Sequence, residues 1–487
     1  MKYFYIITTI FLIGLSCAKK DSEEKIIARI GDKSISFQEF ISRAEFTVRP
    51  RIFNSKISVL NNLVAEKLIA LDAGKNDKLS QSEQFQAYIK GIQEQHMREQ
   101  LFYQEAYNKV EIDTNEIKEN YKLAGREYDV AFYFITDNKF AEKINHRIQS
   151  GERTVENLFE ELEEDREALR QKVKWRDPEH LTIHNALFSM PLKQDTIIGP
   201  LQIESDGLLI MKVLDWKDYP VIVGEEALIR YKEVTEKLKE KKASIIWNNY
   251  VKTLTKGKEV KFESKTYKKL EKYFFSLEKA SDPDDKMIAY ENFWKREIGD
   301  MSLNDIEAKD LFMDSPFFRI DEEVWTVRDF QKALMSHLLV YRKDLISSKD
   351  FGYNFRAAII DLIRDHYLNK DAYKKGLDQN NIVKRNVSMW QDALLALYHG
   401  QQYIKSIMKE KNIDAKDMKT KDKYFQAYID SLFTIYKNDI EINTQEFEKV
   451  KLTTINMYAV KQFVPYPMIV PAFPELTSND RLKTILK

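Results

Sequence analysis

The chain has 487 residues, 43% of them apolar and 12% aromatic, so it is long and apolar enough to build several hydrophobic cores. Its 77 basic and 77 acidic side chains cancel, which argues against the basic surface typical of nucleic-acid-binding proteins. Only 14 glycines and 11 prolines in so charged a chain favour long helices over β-sandwiches.

The first residues have the pattern of an export signal. An apolar run from Tyr3 to Leu15 is too short to span a bilayer comfortably. It ends at Gly14-Leu15-Ser16-Cys17, and Cys17 is the only cysteine in the sequence. No disulfide can therefore form within the chain, and the fold must rest on packing.

This segment resembles a bacterial lipoprotein signal, which implies that residues 1–17 are a signal peptide and that Cys17 is lipidated. The resemblance implies a lipid-anchored protein of the periplasm or cell envelope. Ala18 after the cysteine favours the outer membrane over the inner one. Residues 18–25 are interpreted as a charged tether. An ordinary cleaved signal peptide with a spare cysteine remains the alternative.

Residues 26–123 are predicted to form a mostly helical module that opens with a β-hairpin. The apolar residues of Ile26–Phe40 alternate, and Gly31-Asp32 marks a turn. Ser36 followed by Glu39 predicts a helix start with a capping box. Three- and four-residue spacing then predicts amphipathic helices over residues 60–73, 82–110 and 113–121.

Residues 124–218 are predicted to be a separate domain with strands at both ends. The predicted pieces are, in order, a strand over Val130–Ile135, a helix over Phe140–Ile148 ended by Gly151, a charged helix over Val155–Val173, a turn at Gly199-Pro200 and a strand over Gly207–Asp215.

In that order the pieces resemble the parvulin-type peptidyl-prolyl isomerase domain. The positions that match its pattern are Gly151, Trp175, Phe188, Gly199, Pro200, Gly207, Ile210, Lys212 and Val213. The resemblance implies a small antiparallel sheet flanked by helices, with a pocket for a proline ring. It also implies cis–trans isomerisation of X-Pro bonds, whose uncatalysed barrier is about 20 kcal/mol.

The sequence departs from that family at the expected catalytic positions. Tyr133 and Leu209 stand where the pattern has two facing histidines of a hydrogen-bond network. Tyrosine can still hydrogen-bond, but leucine cannot. We therefore expect the domain to keep an apolar peptide-binding face that includes Trp175, Ile183 and Phe188, and to have weak or no isomerase activity. An active isomerase that tolerates both replacements is the alternative.

Residues 219–278 are predicted to return to the first module. A long helix over Glu225–Leu254 leads to a short strand at Glu259–Phe262. The helical segment that precedes the parvulin-like domain resembles that of SurA- and PrsA-type foldases, and this resemblance implies that the returning helix and strand complete the N-terminal core. Residues 279–316 are interpreted as a linker region. The acidic cluster at residues 281–285 lacks calcium-ligand spacing and is interpreted as a solvated loop.

Residues 317–450 repeat the first module without the isomerase-like insert. Phe318–Phe330 echoes Ala28–Phe40, and Leu362–Ala372 echoes Leu63–Ala73. The sequence therefore predicts an α+β protein with two helical chaperone-like modules, one of which carries the parvulin-like domain. Chance similarity between amphipathic helices is the alternative.

Residues 451–487 are predicted to hold a C-terminal strand and an apolar, proline-rich tail. The apolar run Phe463–Pro474 either packs along its own protein or is an exposed partner-binding segment.

Other chemistries have little support. His180 and His184 lie four residues apart but are interpreted as a surface pair, because no acidic ligand pattern follows. The sequence has no glycine-rich phosphate loop, and no nucleotide or metal cofactor is expected. The chain is predicted to be an extracytoplasmic folding factor that binds unfolded or partly folded polypeptides. A structural envelope lipoprotein is the alternative from another class.

Overall fold

The computed structural model describes residues 24–74, 77–177, 180–203, 207–221, 223–280, 313–337, 339–340, 351–414, 416–452, 465–466 and 468–482. Cys17 and the predicted signal peptide lie outside these described residues, as do most of the tether and of the linker region. No helix within the described ranges is both long enough and apolar enough to cross a membrane.

Helices make up most of the described chain, and the sheets are small and antiparallel, which places the protein in the α+β class. The strands are β1 (Ile26–Ile30), β2 (Lys33–Ser36), β3 (Arg126–Ile135), β4 (Leu169–Lys174), β5 (Ile197–Ile203), β6 (Gly207–Asp218), β7 (Val260–Phe262), β8 (Pro316–Ile320), β9 (Glu323–Thr326) and β10 (Ile440–Ile442). The α-helices are α1 (Phe37–Glu45), α2 (Lys56–Ala73), α3 (Glu83–Glu105), α4 (Thr114–Leu123), α5 (Asn138–Gln149), α6 (Val155–Asp165), α7 (Leu181–Phe188), α8 (Glu225–Leu254), α9 (Ser264–Ala280), α10 (Val327–Ser336), α11 (Phe351–Lys374), α12 (Asn381–Lys411), α13 (Met418–Ile435) and α14 (Thr444–Glu448).

The chain divides into two compact units. Unit 1 comprises Met1–Gly74, Asp392–Tyr458 and Val470–Lys487, and unit 2 comprises Lys75–Gln391 and Ala459–Ile469. Both are discontinuous in sequence, so each depends on contacts between segments that lie far apart along the chain.

Unit 1 contains the predicted hairpin and the helix that follows it. β1 and β2 pair through the turn at Gly31-Asp32, where Gly31 has a φ of +56°. The Ser36 side chain accepts a hydrogen bond from the backbone N–H of Glu39 and caps α1. The predicted capping box is only half formed, because the Glu39 carboxylate pairs instead with the buried ammonium of Lys67, at 2.7 Å.

The third strand of this sheet comes from far along the chain. β10 pairs with β1 in antiparallel register, with Ile440 opposite Ile30 and Ile442 opposite Ala28. Helix α2 packs behind the hairpin and is buried on every side, and its buried residues include Asn61, Asn62, Glu66 and Lys67. The amphipathic pattern predicted for this helix is therefore incomplete, since polar side chains are enclosed with the apolar ones.

Unit 2 contains a second sheet of the same construction. β8 and β9 pair through a turn in which Asp321 has a φ of +54°. Thr326 caps α10 with a complete capping box formed with Asp329. The third strand is β7, which pairs with β8.

The pairing of β7 corrects the prediction that this strand completes the first module. Val260 lies opposite Ile320 and Phe262 opposite Phe318, whereas the first hairpin takes β10. The two hairpins have the same alternation of apolar residues, and a three-residue strand carries too little pattern to choose between them. Only tertiary packing decides the partner.

The third sheet belongs to residues 124–218 and has the strand order β4-β3-β6-β5, with every pair antiparallel. The helix predicted over Val155–Val173 is too long, because α6 ends at Asp165 and β4 begins at Leu169. β4 is an edge strand whose first four residues are exposed, so it lacks the apolar alternation that marks a strand in sequence. Its conformation is fixed by pairing with β3.

Candidate functional site

The two faces of the four-stranded sheet have different surroundings. One face packs on α5 and α6 and contains Ala131, Tyr133, Ile135, Leu208 and Ile210. We call it the α5–α6 face. The opposite face contains Tyr128, Val130, Val173, Leu209, Met211 and Val213, and the predicted site residues Trp175 and Phe188 belong to the same hydrophobic cluster. Because neighbouring residues of a strand point to opposite faces, a shift of one residue moves a side chain from one cluster to the other.

The structure does not bring Tyr133 and Leu209 together. Tyr133 lies opposite Ile210, whereas Leu209 lies opposite Phe134. Since directly opposed residues share a face, Tyr133 points to the α5–α6 face and Leu209 to the other. The expectation that both stand in one site is corrected accordingly, and Phe134 is the residue of β3 that directly faces Leu209.

Tyr133 has a structural environment. Its hydroxyl donates a hydrogen bond to the carbonyl oxygen of Arg166 at 3.0 Å, and its ring centroid lies 5.1 Å from that of Phe159. The side chain is buried, and burial raises the pKa of its hydroxyl. Tyr133 therefore fixes the loop after α6 to the sheet.

Trp175 and Phe188 are also core residues. Their rings meet edge to face with centroids 5.5 Å apart, and they are only 5% and 1% exposed. Val234 and Leu238 of α8 belong to the same buried cluster. In this structure α8 therefore packs against both rings, and the substrate contacts of Trp175 and Phe188 stay predictions.

A partly exposed apolar surface remains on the Leu209 face. We call it the apolar site face, and it consists of Phe132, Phe134, Ile183, Ile198 and Leu201, all partly buried against the cluster that contains Leu209 and Met211. Ile183 is the one predicted substrate-binding residue that keeps partial exposure. These five side chains can bind apolar groups, and none of the five can protonate or polarise an amide.

Sequence reasoning missed Phe132, Phe134, Ile198 and Leu201. A signal for them was present, because once Leu209 is taken as the reference, the alternation of β3 places even-numbered residues on its face. The register needed to use that signal includes a shift between Asp129 and Val130, which sequence alone does not show.

The two histidines do not form a pair. His180 precedes α7, and its Nδ1 accepts a hydrogen bond from the backbone N–H of Thr182 at 3.2 Å. His184 lies inside the helix, 4% exposed, with its ring centroid 4.5 Å from that of Trp175. Within the described ranges, no group of three or more His, Cys, Asp or Glu side chains is arranged to hold a metal ion.

His184 is held neutral by its surroundings. Burial, and then the charges of Lys237 and Lys241, lower its pKa from 6.5 to about 3, although a hydrogen bond to the backbone of Trp175 partly opposes this shift. Its Nε2 is buried without a hydrogen-bond partner among the described residues. Protonation would therefore place an uncompensated charge beside two lysines.

Replacing His184 with methionine is expected to reduce the acid sensitivity of this domain. The folded-state pKa lies below the unfolded value, so the native state binds fewer protons and stability from this group is lost as pH falls from 6.5 towards 3. The slope approaches about 1.4 kcal/mol per pH unit. The free energy of unfolding is measured from pH 7 to pH 4 for both proteins. Below pH 6.5 it should fall more steeply for the wild type than for the variant. Parallel curves would contradict a neutral His184.

Comparison with known proteins gives limited overlap. No protein-family model matches the chain, and no curated protein matches it. Among solved structures, the chain is similar to the crystal structure of PrsA from Bacillus subtilis, at 18% sequence identity, with 48% of this chain and 94% of that chain covered and a TM-score of 0.14. A superposition this weak carries no functional inference, so the chemistry of the site rests on its own residues.

Proposed function

We propose that residues 124–218 form a parvulin-type domain that binds extended apolar polypeptide segments on its apolar site face without isomerising them. The rest of the chain forms an extracytoplasmic folding factor of the SurA and PrsA kind. The observation that carries the proposal is a set of five partly exposed apolar side chains packed against the Leu209 face of the four-stranded sheet.

The order of elements supports the parvulin assignment. A strand, two helices, an edge strand, a helix and two paired strands follow one another. The sequence predicts the first strand, the two helices and the last strand, but not β4, α7 or β5, and the predicted turn at Gly199-Pro200 lies within β5. Gly207 begins β6 with a φ of +145°, and a Cβ there would collide with the carbonyl oxygen of Ile135. The glycine of the Gly-Leu-Leu-Ile motif is thus required by the close approach of β3 to β6.

The chemistry of the face supports binding without catalysis. Rotation about an X-Pro bond has a barrier of about 18–20 kcal/mol, and lowering it requires groups that favour the twisted amide over the planar one. Fixed hydrogen-bond donors and dipoles do this most effectively. Phe132, Phe134 and Leu209 provide neither. A proline ring or another apolar side chain can still be desolvated against them.

The sheets of the two units support an internal duplication. Each consists of a hairpin, a capped helix after it, and a third strand on the first strand of the hairpin. In our proposal each duplicated module takes its third strand from a distant part of the chain. Lipidation at Cys17 and a position in the cell envelope belong to the same proposal and are supported by the motif around that cysteine.

Proline exchange in a short peptide tests the proposal directly. With the full chain in excess, we expect peptide resonances to shift on binding and the cis–trans exchange rate measured by NMR to stay within about twofold of that of the free peptide, because none of the five residues of the face can polarise an amide. Faster exchange would identify an active isomerase. If the resonances do not shift and the chain does not suppress aggregation of an unfolded client, the folding-factor proposal fails and the alternative of a structural lipoprotein is supported.

A further inference from the structure

An extended segment in unit 1 is held by side chains rather than by secondary structure. Residues 470–481 form neither helix nor strand, yet Pro471, Phe473, Pro474 and Thr477 are buried. Backbone N–H and C=O groups in such a segment need other partners, because leaving them buried and unbonded is costly. We call this part of the chain the 470–482 segment.

Asn62 contacts the backbone of this segment with its whole amide group. Its Oδ1 accepts hydrogen bonds from the backbone N–H groups of Leu476 at 2.9 Å and Thr477 at 3.0 Å. Its Nδ2 donates to the carbonyl oxygen of Thr477 at 2.9 Å and to that of Ser58 at 3.0 Å. The side chain is fully buried, so its two donors and two acceptors are satisfied only while a polypeptide lies beside it.

The neighbouring asparagine extends the same recognition. Nδ2 of Asn61 donates to the carbonyl oxygen of Asn479 at 2.7 Å, and its Oδ1 accepts from the backbone N–H of Arg481 at 3.1 Å. From α13, Gln426 donates to the carbonyl oxygen of Leu476 at 3.0 Å. Asn61 and Gln426 therefore bind groups that every polypeptide carries, independently of its side chains.

A buried arginine completes the groove. Arg43 donates to both carboxylate oxygens of Glu66, at 2.8 and 2.7 Å, and also to the carbonyl oxygen of Ala472 at 2.7 Å. The ion pair with Glu66 holds the guanidinium in place whether or not the segment is bound. We call the surface formed by Arg43, Phe53, Asn61, Asn62 and Gln426 the asparagine groove.

Three side chains of the segment make specific contacts with the groove or beside it. The Phe473 ring lies 5.3 Å from that of Phe53, and the Thr477 hydroxyl donates to Gln426 at 2.6 Å. The Arg481 guanidinium donates to Oε1 of Gln426 at 3.2 Å and pairs with Asp430 at 2.5 Å. Between these anchors, Glu475, Ser478, Asn479 and Asp480 are exposed. Anchors at intervals of four residues, on a backbone bound by side-chain amides, can recognise an extended peptide.

We propose that the asparagine groove is a polypeptide-binding site and that the 470–482 segment is its resident ligand. The external ligand is an extended segment of another polypeptide that places an aromatic side chain beside Phe53, a hydroxyl-bearing side chain four residues later and a basic side chain four residues after that. Displacement of the resident segment opens the site. The proposal is independent of the apolar site face, because the two surfaces share no residue.

A peptide supplied in trans tests this site. Fluorescein-labelled peptide of residues 468–482 is titrated against the full chain and against its Phe473→Ala and Thr477→Pro variants. Both variants weaken the resident segment and leave the groove unchanged, the second by removing an N–H that Asn62 binds. We expect each to bind the peptide at least tenfold more tightly than wild type, and Asn62→Leu added to either to reverse the gain.

Circular dichroism and hydrogen exchange of β1 establish that each variant is folded. Two variants are used so that the test can still be made if one of them does not fold. A second peptide of unrelated sequence, which keeps only the phenylalanine, the threonine and the arginine at their four-residue spacing, should compete with the first. If folded variants bind the peptide no better than wild type, the segment is a fixed part of the core and the proposal fails. Failure of the unrelated peptide to compete would overturn the general polypeptide site. Neither result affects the test of the apolar site face.

Discussion

Replacing Phe134 with alanine should weaken binding of an apolar, proline-containing peptide at least tenfold, which corresponds to about 1.4 kcal/mol. Phe134 is a partly exposed aromatic residue directly opposite Leu209 on the apolar site face. Aromatic residues at the centre of a binding surface commonly contribute about 2 kcal/mol or more when truncated. Titration of a labelled peptide onto the full chain measures the change in Kd.

The adjacent residue provides a matched control. Tyr133→Phe removes the hydrogen bond to the Arg166 carbonyl on the α5–α6 face and should lower stability by about 0.5–1.5 kcal/mol. It should leave the peptide Kd within about twofold, because that face is covered by α5 and α6. If Tyr133→Phe weakened binding as much as Phe134→Ala, the assignment of the two faces would be wrong.

Replacing Lys67 with methionine should destabilise unit 1 by about 3–5 kcal/mol, far more than the loss of an exposed ion pair in the same unit. Its ammonium lies 2.7 Å from Glu39 and 2.9 Å from Asp392, and all three side chains are at most 3% exposed. Burial alone would lower the pKa of Lys67, but the negative charges of Asp392, Glu39 and Glu66 outweigh burial and raise it. Methionine fills a similar volume and leaves Glu39 without its cation.

Hydrogen exchange of the β1 and β2 amides reports the free energy of opening of unit 1. Lys411→Met is the control within unit 1, because its ion pair with Glu410 has 48% and 62% of the two side chains exposed and should contribute at most about 1 kcal/mol. Equal, small effects of the two substitutions would contradict the view that Lys67 neutralises buried carboxylates in the native state.

The sequence by itself determined the features that depend on neighbouring residues. The turn at Gly31-Asp32, the cap at Ser36 and the strand at Val130–Ile135 are all present where the pattern predicts them. Turns and helix caps depend on interactions within about four residues. A strand is predicted from the alternation of apolar and polar residues, which shows that one of its faces is buried and the other exposed. The apolar character of the candidate site also follows from the sequence, because Leu209 and its neighbours on β6 are apolar.

The sequence could not place the side chains of the site. Which face Tyr133 occupies depends on the register of β3 against β6, and a shift between Asp129 and Val130 sets it. Whether Trp175 is open or covered depends on α8, which begins about fifty residues later in the chain. The positions of these two side chains depend on which surfaces are buried against each other in the folded protein, and short sequence patterns do not contain that information.

Tertiary structure alone decided the partners of the short and extended segments. β7 and β10 carry three residues each, so the packing of the whole unit, rather than their own sequence, assigns β7 to β8 and β10 to β1. Apolar residues and prolines predict that the 470–482 segment is extended but not what holds it. Its position is fixed in part by Asn61 and Asn62, whose buried amides bind backbone groups of residues more than 400 positions away along the chain.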